Sequence, residues 1–373
     1  MLSTSQLDYD LPADRIATRA AEPRDSARML VVSRSDPSFV EHATVKDVPR
    51  FLAPGDLAVF NRSRVLRARI RGHRVDSGGV VEGLFLERAP ESRSQWRMLL
   101  KSNGKLRPGL VIQLEAAHGG ATAQRLELID RVEATWIVQP EPSVDDPASL
   151  LEQIGLTPLP PYILSARRTK HESVSDDDDR RHYQTVYAEH AADSVGDGSV
   201  AAPTAGLHFT PALLEELRRR GVQEAFVELD VGWGTFQPVQ EANLEDHPMH
   251  RERCGISAEV VRLIRDGRSN GGARRIVSIG TTTARTLESI PDPLEQWTDT
   301  GWVGETDLLI APGHSWRHVD VLLTNFHLPR STLLAMVGAL FPEGVERLLE
   351  LYRIAIEREY RFYSYGDAML ILP

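Results

Sequence analysis

The sequence predicts an α/β protein that carries an all-β unit in its first half. Three observations lead there. Beyond about residue 150, strand-like and helix-like segments alternate, which is the pattern of an α/β domain. Between Val65 and about Gln139, short apolar runs alternate with polar residues and no helix interrupts them, as in a barrel or a sandwich. Between these regions, "PEPSVDDPAS" at 140–149 has the composition of a linker.

The elements follow in order. "SARMLVVSR" and "PGDLAVFNRS" read as strands, the second closed by a turn. "VLRARIRG", "GGVVEGLFLER", "SQWRMLLKS", "GLVIQLEAA", "QRLELIDRV" and "ATWIVQP" are the strands of the β unit, separated by Gly, Asn, Pro or Ser. "TPALLEELRRRGV" is a helix with its punctuation in place: Thr210 as N-cap, Pro211 in the first turn, arginines in the last turn and Gly221 beyond. Leu213, Leu214 and Leu217 share one face of it. "EAFVELDV" and "ARRIVSIG" are strands, and "TTTARTLESI" is a helix. "ETDLLIAP" and "VDVLLTNF" read as strands, "STLLAMVGALF" and "GVERLLELYRIAIEREY" as helices, and "DAMLIL" as a last strand.

At 373 residues, 41% hydrophobic and 26% charged, the composition is that of a globular protein. No apolar run reaches the ~18 residues a membrane span needs. No basic, then apolar, secretory leader is visible, and the single cysteine, Cys254, leaves no intrachain disulfide; the expected location is the cytoplasm. A net charge of -10 does not advertise a nucleic-acid binder, but a local basic face is compatible with it. "NRSRVLRARIRGHR" supplies Arg62, Arg64, Arg67, Arg69, Arg71 and Arg74; the strip reads as a solvated strand face or as a phosphate contact.

Chemistry concentrates where strands give way to helices, the place α/β folds put ligands. "SVAAPTAGLHFT" brings Thr204, Gly206 and His208 to one such connection, "SIGTTTARTLES" brings Thr281 and Thr282 to another, and "TNFHLPRST" brings Asn325, His327 and Arg330 to a third. Backbone N–H groups at the helix start in the second suit a phosphate or carboxylate, though threonine capping explains the same residues. In "DVGWGTFQPV", Gly232 and Gly234 flank Trp233, allowing close backbone approach to a ligand or a bulged core strand. "YRFYSYGDAML" offers Tyr363 and Tyr365 for stacking on a base or for packing. "EDHPMHRE" gathers His247, His250 and Glu252, but its spacing does not match a helical His-Glu metal motif, and no metal is expected. A G-x-G-x-x-G after the first strand, a Walker A loop and a G-x-S-x-G elbow are all missing, which disfavours a dehydrogenase, a P-loop enzyme or a serine hydrolase.

Taken together, "LDYDLPADRIA", "LAVFNRSRV", "LPPYI", "YQTVYA", "GSVAAPTAGLHFT", "VGWGTFQPV", "HPMHRE", "GTTTARTLES", "TDLLIAPG", "LLTNFHLPRSTLL" and "YRFYSYGDAMLI" run from residue 7 to residue 372. In this order the chain resembles the S-adenosylmethionine:tRNA ribosyltransferase-isomerases of queuosine biosynthesis. The resemblance implies an α/β main domain, 1–65 and 151–373, with a small antiparallel β-barrel domain, 66–150, inserted in it. It implies a reaction too. The ribosyl group of S-adenosylmethionine, a co-substrate, would be transferred to the aminomethyl group of a 7-aminomethyl-7-deazaguanine at the anticodon wobble position of tRNA and isomerised. Epoxyqueuosine-tRNA, adenine and methionine would result.

Such a site needs a base for the hydrogens beside the sulfonium, a donor for the departing adenine and a proton acceptor for the attacking amine. The candidates for catalysis are His208, His327 and Asp230, with His208 first because its loop precedes a helix and offers few other titratable groups. The candidates for holding substrate are Thr204, Gly206, Gly232, Gly234, Thr281, Thr282, Arg285, Glu288, Asn325, Arg330, Tyr365 and Asp367. The chain is expected to act as a monomer. It departs from the family pattern where Arg62 replaces an Asp, Asp230 a His, His314 a Tyr and Cys254 a Tyr. These changes leave open two alternatives: a related S-adenosylmethionine-dependent ribosyl transferase with a small deazapurine acceptor, or a non-catalytic RNA-binding module.

Overall fold

A computed structural model of the chain describes residues 2–89, 92–188, 198–232, 239–269 and 274–373. Two sheets organise it. The larger has nine strands. Strands β1 (Arg28–Ser33), β2 (Val40–Thr44) and β3 (Leu57–Asn61) come from the first 61 residues. Six strands of the second sheet follow: β4 (Arg69–Arg74), β5 (Val80–Ala89), β6 (Ser92–Ser102), β7 (Val111–Glu115), β8 (Ala121–Val132) and β9 (Thr135–Glu141). The large sheet resumes with β10 (Gln223–Leu229), β11 (Glu252–Ile256), β12 (Ile276–Ile279), β13 (Trp302–Thr306), β14 (Val321–Asn325) and β15 (Ala368–Leu372).

The large sheet has the order β13-β11-β10-β3-β12-β14-β15-β1-β2. Its central four strands, β10, β3, β12 and β14, run parallel, with Phe60 beside Phe226 on one side and Ile279 on the other. Both faces are covered, so β3 is apolar up to its last residue, Asn61: Leu57 and Val59 enter one core cluster, Ala58 and Phe60 the other. Helices α4 (Pro211–Arg219), α5 (Ala258–Ser269), α6 (Thr281–Glu288), α7 (Thr332–Gly338) and α8 (Val345–Glu357) supply much of that cover, after α1 (Pro147–Ile154), α2 (Pro161–Thr169) and α3 (Asp176–His182) earlier in the chain. In α4 the Thr210 hydroxyl accepts the Leu213 N–H at 3.1 Å, Leu213, Leu214 and Leu217 are buried, and Gly221 ends the helix with φ +80°. Such a cap contributes about 1 kcal/mol.

The six antiparallel strands of the second sheet close on themselves, because β4 pairs with both β5 and β7. The alternation seen in the sequence sends Val81 and Phe85 from β5, Trp96 and Met98 from β6 and Leu126 and Leu128 from β8 into one core. Leu150, Leu151 and Ile154 of α1 complete that core, so the helix straddles residue 150 and takes in the last three residues of the linker-like segment. Its start is a sequence signal passed over: Asp146 caps it, with Pro147 in the first turn. The acidic run at 175–182 is also a helix, α3, with its Asp residues in the first turn and Arg180, Arg181 and His182 in the last, as the helix dipole favours. One expected strand is displaced. "ETDLLIAP" pairs only up to Thr306; Leu308, Leu309 and Ile310 pack on the core without pairing, and the strand itself begins at Trp302. Among the described residues, no helix is long and apolar enough to cross a membrane.

Candidate functional site

The parallel strands β3, β12 and β14 end at Asn61, Ile279 and Asn325 on one edge of the sheet, where β10 also ends. The tight turn Thr204–His208 and the segment 326–331 lie over that edge. Between them is a cavity of about 40 Å³, lined among others by Thr204, Thr281, Thr282, Asn325 and His327. Two of the three histidine-bearing or threonine-rich loops singled out in the sequence therefore form opposite walls, and the third forms the floor. Gly280, with φ +96°, turns the chain from β12 into α6, so that Thr281 and Thr282 reach the cavity from the first turn of a helix.

Asn325 ties the walls together. Its Oδ1 accepts the Thr204 hydroxyl at 2.8 Å, and its Nδ2 donates to the Tyr363 carbonyl at 3.2 Å and to His208 Nε2 at 3.3 Å. His208 is buried behind Asn325 and does not line the cavity. An imidazole that accepts at Nε2 is neutral, and burial, helped by the Arg361 and Arg24 charges, pulls His208 down to about 3. That is a poor base at neutral pH. The structure thus places His208 against Asn325 rather than in the cavity.

His327 does line the cavity. Its Nε2 lies 3.4 Å from the Thr324 hydroxyl, and its Nδ1 is buried with no hydrogen-bond partner among the described residues. Burial pulls it, too, down to about 3. The backbone around it is fixed by "LDYDL" at the N-terminus. Tyr9 donates its hydroxyl to the His327 carbonyl, Leu7 O accepts the Arg330 N–H at 2.8 Å, and Asp8 Oδ2 takes Arg330 Nε at 2.8 Å. Arg330, with φ +54°, is thus engaged by Asp8 and is absent from the cavity lining.

Other expected site residues are distributed more widely. Gly232 donates its N–H to Glu252 Oε1 at 2.9 Å, and the other oxygen of Glu252 forms an ion pair with Arg285; both side chains are almost fully buried, and burial pulls Arg285 down to about 10. At Gly206 a Cβ would sit 2.0 Å from the Tyr187 hydroxyl, so the backbone there packs against that side chain. Glu288 is turned into the loop at 314–318, accepting the N–H groups of Arg317 at 3.0 Å and His318 at 2.8 Å, with His314 Nε2 at 3.4 Å. Asp367 accepts the N–H of Arg361 at 2.8 Å and of Arg28 at 3.1 Å. Neither carboxylate lines the cavity. Asp230 is half-buried at the end of β10, with its N–H on the Arg253 carbonyl at 2.9 Å, and its charge helps burial push the Cys254 thiol up to about 12. Gly234 lies outside the described residues. Arg62 is met by Glu228, whose Oε1 accepts Nε at 3.0 Å and Nη2 at 2.8 Å. Among the described residues no group of three or more His, Cys, Asp and Glu could hold a metal ion.

Of the two tyrosines weighed for stacking, Tyr363 reaches the cavity, while Tyr365 packs edge-on against Tyr183 with centroids 5.9 Å apart. Tyr363 adopts φ +73° and faces Tyr162 with centroids 4.8 Å apart. Tyr162, in "LPPYI", was missed among the site candidates; so was Glu252, which stood in the "HPMHRE" stretch weighed only for metal.

The two neutral histidines set a pH dependence. Their folded-state values lie below the unfolded value, so the unfolded chain binds more protons between pH ~6.5 and ~3. Stability is whole above pH ~6.5 and falls as pH drops through that window. At pH ~4.5 each should cost about 2–3 kcal/mol. Urea unfolding at pH 7.5 and 4.5 should show this loss, and His208→Gln should shrink it; an equal loss in both proteins would mean that His208 is not held neutral by the fold.

The profile of a family described as "Queuosine biosynthesis protein" matches residues 4–371. The chain is 43% identical over 373 residues to an S-adenosylmethionine:tRNA ribosyltransferase-isomerase of Rubrobacter xylanophilus, covering 100% of this chain and 98% of that one. It is 42% identical over 371 residues to the protein of the same name from Thermotoga petrophila, covering 100% of both. A crystal structure of the S-adenosylmethionine tRNA ribosyltransferase of Thermotoga maritima superposes with a TM-score of 0.51 at 32% identity, covering 98% of this chain and 100% of that chain.

Proposed function

This chain belongs to the queuosine biosynthesis protein family, and we propose that it acts as an S-adenosylmethionine:tRNA ribosyltransferase-isomerase. It transfers the ribosyl group of S-adenosylmethionine to the 7-aminomethyl group of a 7-deazaguanine in tRNA and isomerises it, releasing adenine and methionine. The full-length identity to proteins of that name carries the reading. The cavity supports it. Asn325 and His327 offer neutral hydrogen-bonding groups, the start of α6 offers N–H groups for an anion, and Tyr162 with Tyr363 offers an aromatic wall for a base.

His327 is the side chain we place nearest the chemistry, and Thr204, Thr281, Thr282 and Asn325 are its substrate-positioning neighbours. Asp230 is kept as a catalytic candidate for its place at the strand end. The closed six-stranded sheet is, in this reading, an inserted barrel domain within the α/β main domain, its second boundary after α1. The protein works as a cytoplasmic monomer with S-adenosylmethionine as its co-substrate and without a metal. A small-acceptor transferase and a bare RNA-binding module are disfavoured, because the relatives carry one name over their whole length. The change at Arg62 brings its own counterion in Glu228, which supports tolerated variation over a new substrate.

The test is a product assay with S-adenosylmethionine and tRNA carrying 7-aminomethyl-7-deazaguanine. Adenine and methionine release with the mass of an epoxycyclopentanediol on the nucleoside is expected. No turnover on this tRNA, with turnover on the free deazapurine, would replace the reading with the small-acceptor one.

A further inference from the structure

We propose that a second, basic cleft beside this cavity holds the phosphate backbone of the RNA, an inference that rests on the tRNA reading above. The cleft encloses about 580 Å³, and its lining includes Arg24, Arg64, Arg67, Arg180 and Arg181 with one acid, Glu152. The chain as a whole is acidic, at -10, so five arginines in one cleft are a local inversion of charge.

The arginines are incompletely neutralised. Glu152 serves two of them at once, Arg64 at 2.9 Å and Arg180 at 2.8 Å. Arg24 donates to the carbonyls of Gln184, at 2.7 Å, and Arg181, and to no carboxylate among the described residues. Arg67 is 7% exposed and bonds the Glu152 carbonyl and Asp176, yet its Nε has no acceptor among the described residues. Arg181 pairs with Asp178. Among the described residues, five guanidinium groups against Glu152, Asp176 and Asp178 leave two positive charges unmatched. Guanidinium forks suit phosphate oxygens, and a buried Nε without an acceptor suits an anion seated in the cleft.

The position of the cleft names the ligand. Val65 and Tyr183 line it, Ala202 and Tyr162 line the cavity described above, and all four meet in one apolar cluster. The cleft and the cavity are thus two sides of one wall. A strand whose base enters the cavity runs its phosphates past the cleft. This also divides the basic strip of residues 61–74. Arg62, Arg71 and Arg74 are matched by Glu228, Glu82 and Asp76, whereas Arg64 and Arg67 face the cleft.

The experiment measures binding of a labelled anticodon stem-loop, carrying the acceptor base, from 50 to 300 mM salt. Arg64→Ala/Arg180→Ala, at two largely exposed side chains, should weaken binding by on the order of tenfold and flatten the log–log salt slope by about 2. The KM for tRNA should rise with no matching rise in that for S-adenosylmethionine. Glu152→Gln, which removes the carboxylate competing with phosphate, should tighten binding. Unchanged affinity and slope in both variants, beside a wild-type protein that modifies tRNA, overturns the cleft alone. A wild-type protein that neither binds nor modifies the RNA overturns the cleft and the tRNA reading together.

Discussion

His327→Ala is expected to lower kcat/KM for tRNA modification by about 10²–10³-fold, the range that removing a positioned hydrogen-bonding group costs. The argument is geometric. His327 lines the cavity, its Nδ1 has no partner among the described residues, and its main chain is fixed from Tyr9 and Tyr352, which hold the carbonyl and the N–H (at 2.9 Å) respectively. So firm a backbone around so unencumbered a ring atom is what a working imidazole requires. Since burial holds the ring neutral down to about pH 3, its loss should act on kcat without creating or removing a kinetic limb near pH 6.5. His327→Gln, which keeps an amide for hydrogen bonding, separates the roles. Near-wild-type activity in Gln would mean that the ring only orients substrate, and unchanged activity in Ala would remove His327 from the chemistry. Tyr9→Phe should reproduce part of the loss, because it releases the His327 carbonyl while leaving the ring in place.

How much of this was legible depended on how local the signal was. Helix α4 was read completely because Thr210, Pro211, the leucine face and Gly221 all lie within thirteen residues. The strands of the second sheet were read from their alternation, but the pairing of Gly72 with Leu114 that closes it joins residues far apart in sequence. "ETDLLIAP" misled because an apolar run can bury itself against a core without pairing, whereas Val303 and Glu305 on the true strand are exposed. The loops with Thr204, Thr281 and Asn325, which line one cavity, are legible because strand-to-helix connections announce themselves. The different placement of His208 and His327 was not legible, since both sit beside a Phe in similar loops and only the three-dimensional packing puts Asn325 in front of one of them. The same limit applied to the surroundings of Asp367 and Glu288, whose backbone partners at Arg361 and His318 only the fold reveals.

The buried pair of Glu252 and Arg285 carries the second large effect. Arg285→Met should destabilise the protein by about 3–5 kcal/mol in urea unfolding, because it takes the arginine out of a buried ion pair at the start of β11. Glu252 would keep only the Gly232 N–H at Oε1 among its hydrogen bonds set out above. Replacing both, Glu252→Gln with Arg285→Met, should recover most of that loss, since the strain comes from the unmatched charge more than from the missing bond. The cavity reports on the same pair. Gly232 follows Val231, which lines the cavity, and Arg285 lies one turn along α6 from Thr281 and Thr282. A structural pair therefore predicts that the double variant regains activity along with stability. If instead it regains stability while kcat/KM stays low, Arg285 touches substrate after all, and the ion pair is the resting partner of a guanidinium that the ligand's carboxylate takes over.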